Sequence, residues 1–487
     1  MNKINFGNIY LQEKIIVFIL MIISLVIGYF IVCNASWTWG DDYGFLNSTA
    51  VGEINWNYRV AKLLSHGRFF LLGQCDFYFL IFIKGGNSPF AHYVVVLISF
   101  FLFVYFSYKL YQTILIDQFK NNKALLWIVF LSLIFLLYYF HRLFFFLVYP
   151  ERIMVVFLCL FFLFYINFIK TQQKSHAILA LLISFFLCYT KETSFIIFAT
   201  IAGFNLVFAF NKITKLEKVF YFALLANVVI FLILYYFLAY RNTVTFYTRN
   251  STYQEVIYFT LRNIKILFVA LLLSFWRFYR FLFFFERDNI IIDAMLFSGI
   301  LHAIANIILK MPMDYYYFPA VLLILPPILC WSLKTVKTNY ILTLLFLITI
   351  YYARKFPATI NSIQKLRIES GLHLKKLTDY INDSEITYWV QNNNSNHVLN
   401  GKMNYQSEIL DVYYNFYNKT KSAKKIFKVT ELPDSINSKV LILYSDFNLL
   451  ENRKNAALLK KLKTFGFKKQ NLDCIHEIGI YKKDLSI

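Results

Sequence analysis

The sequence predicts an all-α polytopic membrane protein of about eleven transmembrane helices, followed by a small C-terminal α/β domain. Three observations predict it. The 487-residue chain is 59% hydrophobic, against about 45–50% apolar in soluble domains. Apolar stretches near the length of about 20 residues that crosses a bilayer recur from residue 15 to residue 352. After that the character changes. Residues 353–487 carry 22 Lys+Arg and 13 Asp+Glu and hold no spanning run.

The first apolar run, 15–33, reads as an uncleaved helix, since it is long for the apolar region of a signal peptide. Residues 34–88 make a long first loop. Inside that loop lies the apolar stretch FFLLGQCDFYFLIFI at 69–83, interrupted by Gln74 and Asp76. A charge near the bilayer centre costs about 2.5–3.5 kcal/mol on insertion, so this stretch reads as interfacial or re-entrant. Ten further runs follow, near 90–108, 124–140, 153–169, 177–190, 194–210, 219–239, 266–285, 290–309, 316–332 and 339–352. Residues 1–352 are therefore the membrane part. In residues 353–487, Val440–Tyr444 (VLILY) and Glu477–Tyr481 (EIGIY) read as strands. Leu449–Leu462 has helical spacing, and Gly466 is placed to stop that helix.

The net charge is +22. In a soluble protein this would suggest nucleic acid, but no basic module here would fold in water, so nucleic acid is excluded and the partner is the bilayer. With the N-terminus inside, the inner segments carry 15 Lys+Arg in 63 residues and the outer segments 12 in 100. That bias follows the positive-inside rule and puts residues 353–487 outside. The six cysteines, at 33, 75, 159, 188, 330 and 474, form no CxxC pair. They read as small hydrophobes. The 55 Phe and 36 Tyr fit AT-rich codon usage as well as a special aromatic role.

The polar groups that stand out fall on the outer face. Asp41 and Asp42, in SWTWGDDYGF, are adjacent carboxylates just past the first helix. Two such charges repel unless a cation or hydrogen bonds compensate, which suits a general base, a metal ligand or an acidic helix cap. Ser65-His66-Gly67-Arg68-Phe69 follows in the same loop. An Arg there either grips a phosphate with its fork or snorkels to the interface. Tyr149-Pro150-Glu151-Arg152 marks a helix start. Glu151 either complements the helix dipole or serves as a second acid. Lys191-Glu192 places opposite charges in a hairpin with almost no loop. Ionisable groups so near the bilayer are functional candidates, although the two also neutralise each other. Lys310 and the run Asp314–Pro319, with Tyr315, lie at another outer junction, where an aromatic belt is the simpler account. HExxH, Walker A, GxSxG and a strand-to-helix GxGxxG are all missing.

Taken together, these features resemble the GT-C superfamily of integral-membrane glycosyltransferases. Within it the chain is similar to bacterial polyprenyl-phosphate-sugar-dependent enzymes, the GtrII-like and oligosaccharide- or mannosyl-transferase relatives. The resemblance rests on one helix followed by an outer loop with Asp41-Asp42 near its start, many further spans, and an extracytoplasmic C-terminal domain. Gly67-Arg68 and Lys191-Glu192 look similar to elements of some members. The C-terminal domain is smaller than in several of them, which leaves the acceptor class open.

The resemblance implies transfer of a sugar from a polyprenyl-phosphate donor to a glycan, lipid or protein acceptor, on the outer face of a bacterial cytoplasmic membrane. Asp41 would be the base of an inverting displacement, with Asp42 beside it and Glu151 as a secondary acid. Arg68, Lys191 and Arg152 would contact the donor phosphate. His66, Glu192, Lys310 and Tyr315 would touch substrate. A divalent cation, Mg or Mn, would take Asp42 and Glu151 as ligands, and metal use varies in the superfamily. Two rivals stand beside this reading: a surface-polysaccharide polymerase or ligase, and a transporter or flippase without covalent chemistry. The transporter reading expects ionisable residues in mid-helix, and Asp293 is the one acid inside a run.

Overall fold

The computed structural model describes residues 6–37, 64, 67–73, 75–82, 88–115, 138–147, 150–243, 252–284, 290–311, 313–335, 338–384, 386–390, 426–429, 440–445, 460, 462–470 and 478–483. Asp41, Asp42, His66, most of the apolar run 124–140 and most of Leu449–Leu462 lie outside them. The described residues divide into two compact units. One draws on Met1–Val32, Asn55–Phe79 and His92–Ile360, the other on Cys33–Ile54, Leu80–Ala91 and Asn361–Ile487.

The first unit is helical. Its elements begin with α1 (Phe6–Val32), α2 (Cys75–Phe82), α3 (Pro89–Leu115), α4 (Tyr138–Phe145), α5 (Glu151–Thr171) and α6 (Lys174–Thr190). They continue with α7 (Ser194–Phe208), α8 (Lys215–Leu234), α9 (Tyr253–Asn263), α10 (Lys265–Phe284), α11 (Ile290–Ile308) and α12 (Phe318–Thr335). The last, α13 (Thr338–Asp383), runs unbroken past residue 352 and belongs to the first unit through Ile360 and to the second from Asn361.

Among the described residues, six helices are long and apolar enough to cross a membrane: α3, α5, α8 with its extension to Tyr240, α10, α11, and α12 with the turn before it. The sequence leads to about eleven. Part of the difference is length. Helices α6 and α7 have 17 and 15 residues, a rise of about 26 and 23 Å, against a hydrocarbon core of about 30 Å. The interrupted stretch 69–83 forms the eight-residue α2, which rises about 12 Å and is too short to span.

Sequence chemistry sets the helix ends. Thr214 and Glu217 form a capping box at α8, and Thr252 and Glu255 form another at α9. In each, the Thr hydroxyl accepts from the Glu N–H while the Glu carboxylate accepts from the Thr N–H. Pro150 caps α5 at its start. Gln172 ends that helix in the left-handed region, with φ 56°, and the chain turns straight into α6. Helix α8 widens into a π-helical turn, Tyr235–Tyr240, a geometry often found near functional sites.

Of the six, α12 is the most buried, with 89% of its apolar stretch inside the fold. It packs on α11, and α11 packs on α7. Gly299 allows the α11–α12 contact, because a Cβ there would lie 2.9 Å from the Ala320 carbonyl oxygen. The outer surfaces of α8 and α10 expose Val219, Phe222, Val229, Phe275 and Phe283. Apolar bands of this kind face lipid rather than water.

The second unit carries a five-stranded sheet. Its strands are β1 (Ile386–Val390), β2 (Ile426–Val429), β3 (Val440–Ser445), β4 (Phe467–Gln470) and β5 (Ile478–Lys483), in the order β2-β1-β3-β5-β4. Strand β1 pairs in parallel with β2 and β3, while β5 pairs antiparallel with β3 and β4. Strands β3 and β5 are the two read from sequence. Gly466, with φ +76°, ends the helical turn 462–464 in the left-handed conformation that glycine adopts without strain.

Candidate functional site

A short turn before α2 builds one wall of the site. Gly67 has φ +69° and donates its N–H to the Leu64 carbonyl at 3.0 Å. The Tyr235 hydroxyl, at the start of the π-helical turn, donates to the Gly67 carbonyl at 3.2 Å. Leu72 N–H donates to the Tyr189 carbonyl at 2.9 Å, joining the turn to the end of α6. Gly73 sits so close that a Cβ would lie 2.9 Å from the Thr190 carbonyl oxygen and 3.0 Å from Pro150 Cβ. The absence of a side chain there lets three elements meet.

Four segments at helix ends therefore converge. Arg68 comes from the turn, Glu151 from the first residue of α5, and Lys191 and Glu192 from the α6–α7 hairpin. Tyr316 comes from the 3-10 turn before α12. Arg68 Nε lies 2.5 Å from Glu192 Oε1, and Lys191 Nζ lies 2.6 Å from Glu151 Oε1. The second contact is ionic without the angle of a hydrogen bond, since Glu151 Oε1 accepts none. Lys191 also lies 4.5 Å from the Tyr316 ring centroid and 5.6 Å from that of Phe70. Arg68 stands over Phe70 at 4.8 Å.

The cluster has a mouth and a floor. The Arg68 and Glu192 side chains are 14% and 15% exposed, and those of Lys191 and Glu151 are 4% and 2% exposed. Burial alone would favour the neutral forms. The opposite charges outweigh it. Burial pushes the Glu192 carboxyl up, but Arg68 and Lys191 hold it below its ordinary value. Burial pushes Lys191 down, but Glu151 raises it above the usual lysine range. Arg68 is raised in the same way, chiefly by Glu192 against burial. By contact, Arg68–Glu192 and Lys191–Glu151 are two ion pairs. Glu151 Oε2 and Glu192 Oε2 are buried and accept no hydrogen bond.

Arg152, next to Glu151 in sequence, engages other groups. It donates to Asp76 Oδ2 at 2.7 Å, to Ser99 Oγ at 2.8 Å and to the Val95 carbonyl at 3.5 Å. Its guanidinium stands 4.6 Å over Phe77. It ties α2, α3 and α5 together rather than entering the Arg68–Lys191 cluster. Of the remaining sequence candidates, Lys310 has φ 51° and sits 4.6 Å over the Tyr253 ring. Tyr315 packs on Tyr316 with ring centroids 4.4 Å apart.

The chain leading to the acidic pair is anchored in the second unit. Asn34 Nδ2 donates to Gln364 Oε1 at 3.1 Å, Ser36 Oγ donates to the Arg367 carbonyl at 2.7 Å, and Arg367 Nη1 donates to the Cys33 carbonyl at 3.1 Å. Helix α13 thus holds residues 33–36, just before Asp41-Asp42.

Sequence reasoning singled out the run Asp314–Pro319 but named Tyr315 rather than Tyr316 within it, and it missed Asp76 as the partner of Arg152 and a buried chain behind the floor. His302 Nε2 lies 3.1 Å from Thr193 Oγ1, and its Nδ1 lies 3.4 Å from Asn306 Nδ2. Asn306 Nδ2 also donates to the Tyr316 carbonyl at 3.0 Å. An amide nitrogen only donates, so Nδ1 accepts and Nε2 carries the proton toward Thr193. The i, i+4 spacing of His302 and Asn306 on an apolar helix was the available signal. A second charged pair lies elsewhere in the bundle. Arg277 of α10 forks onto Asp293 of α11, with Nε–Oδ1 at 2.9 Å and Nη2–Oδ2 at 2.7 Å.

No family model matches the chain, and neither the curated proteins nor the solved structures hold a significant match to it.

Proposed function

We propose that the chain is an integral-membrane glycosyltransferase of GT-C type. It moves a sugar from a polyprenyl-phosphate-linked donor to a glycan, lipid or protein acceptor. The reading places it in a bacterial cytoplasmic membrane with about eleven crossings, its active face and its C-terminal α/β domain being extracytoplasmic. The observation that carries the reading is the convergence of Arg68, Glu151, Lys191, Glu192 and Tyr316, from four separate segments, into one buried cluster. Bringing four charges out of water is costly, and a chain that only needed packing would place apolar groups there.

In this reading, Asp41 takes the acceptor proton or orients its hydroxyl, with Asp42 beside it. The nucleophile attacks the anomeric carbon, and the configuration inverts. Arg68, at the mouth, offsets the charge that develops on the leaving lipid phosphate. Arg152 takes a positioning role, since its fork is committed to Asp76 and Ser99. Lys191, at 2.6 Å from Glu151, supplies the positive charge that a divalent cation would bring. Glu151 is then a poor metal ligand.

The test is sugar transfer from polyprenyl-phosphate donors by membranes containing wild type or Asp41→Asn at matched expression. The reading expects transfer by wild type and its loss in the variant. Unchanged transfer removes Asp41 from the mechanism. A transporter or flippase is the second reading, favoured by the Arg277–Asp293 pair and His302 within helices. No transfer by wild type from any donor would turn the assignment toward it.

A further inference from the structure

We propose that the floor of the cluster is a hydroxyl-reading subsite for a neutral sugar, with the carboxylate oxygens Glu151 Oε2 and Glu192 Oε2 as its acceptors. This deepens the glycosyl-transfer reading and rests on it.

Arg68 and Lys191 balance Glu151 and Glu192, so the four groups sum to zero. An anion entering the floor would have to separate a buried pair or bring a third cation, and Arg152 is held by Asp76 and Ser99. What two of its carboxylate oxygens lack is a hydrogen-bond donor. Glu151 Oε2 and Glu192 Oε2 are buried without a donor among the described residues, and a buried carboxylate oxygen left so is strongly disfavoured. Sugar hydroxyls bring donors without bringing charge. Their oxygens can also accept from Lys191, whose ammonium carries three N–H groups. Phe70 and Tyr316 border the same pair. They supply the apolar surface that small-molecule sites combine with a few convergent polar groups. The Arg68 and Glu192 side chains, 14% and 15% exposed, form the more accessible side of the cluster.

The experiment uses the full chain purified in detergent. Saturation-transfer NMR and thermal unfolding are read with a panel of neutral hexoses, pentoses and N-acetylhexosamines. Inorganic phosphate and pyrophosphate at equal ionic strength are the anionic probes. The expected result is binding of at least one neutral sugar, weakened by about tenfold or more in the double variant Glu151→Gln, Lys191→Met. That variant removes both charges together, so neither is left unpaired. If it fails to fold, Glu192→Gln at the mouth gives a second reading and should weaken the same sugar. Binding of the anions and of no sugar would overturn the proposal and make the cluster an anion clamp. No effect of any probe would overturn it too, leaving a closed structural network. So would sugar binding that survives both variants. Sugar binding here with no transfer from any donor would sink the transferase reading and leave the subsite standing.

Discussion

Lys191 Nζ lies 2.6 Å from Glu151 Oε1, with side chains only 4% and 2% exposed. One charge ends the α6 helix and the other begins α5, so the pair closes one end of that helical hairpin. Removing one partner leaves the other buried and uncompensated, whereas removing both is far milder.

The cluster sets a pH window for stability. The Glu192 carboxyl lies below its ordinary value because Arg68 and Lys191 outweigh burial. A depressed acid stabilises the fold above the unfolded value of about 4.3 and loses that contribution as pH falls through the folded value. Lys191 lies above its ordinary value because Glu151 outweighs burial. A raised base stabilises fully below about 10.4 and loses that contribution as pH rises through the folded value. Thermal unfolding in detergent should therefore show an acid limb below about pH 4.3 and an alkaline limb above about pH 10.4. Glu192→Gln should flatten the acid limb and spare the alkaline one. An unchanged acid limb in that variant would assign it to other carboxylates.

Two arginines from neighbouring motifs should separate by phenotype. Arg152 is 1% exposed and holds Asp76, Ser99 and the Val95 carbonyl, so Arg152→Ala should destabilise by about 3–5 kcal/mol. Arg152→Lys should recover little, because an ammonium does not reproduce the fork. Arg68 stands at the mouth, so on the transferase reading Arg68→Ala should fold and lower sugar transfer by about 10²-fold. The check is unfolding temperature alongside transfer rate for each variant. Equal destabilisation by both alanines would remove the distinction between positioning and substrate contact.

Most of the helical frame was legible, because runs such as 153–169, 219–239 and 290–309 are apolar and long. Their counterparts are α5, α8 and α11. Strands β3 and β5 were legible as short β-branched runs. Strands β2 and β4, IFKV and FKKQ, are four residues long and carry lysines, so no period shows. In the site, Glu151, Lys191, Glu192 and Arg68 stood out as charges in apolar surroundings. Tyr316 did not, because aromatic residues at a helix junction fit a membrane belt equally well. The pairing of Asp76 with Arg152 is a tertiary contact across 76 residues, and no local pattern encodes it.

The Arg277–Asp293 pair gives a last test. Both side chains are fully buried and the fork is bidentate, with Arg277 standing 3.9 Å over the Trp331 ring. The pair links α10 to α11 inside the bundle, and Asp293 lies nine residues before His302, about 13 Å along α11. Asp293→Asn leaves a buried guanidinium without its counter-charge, a cost near 2.5–3.5 kcal/mol for a charge within the bilayer. The variant should lose much of its monodisperse fraction on heating in detergent. Arg277→Met with Asp293→Leu should regain most of it, because a packed apolar pair replaces two neutralised charges. Sugar transfer by that double variant should stay near wild type if the pair only joins helices. A double variant that is stable but inactive would instead make the pair part of the working machinery and strengthen the transporter reading, in which charges inside helices carry the function.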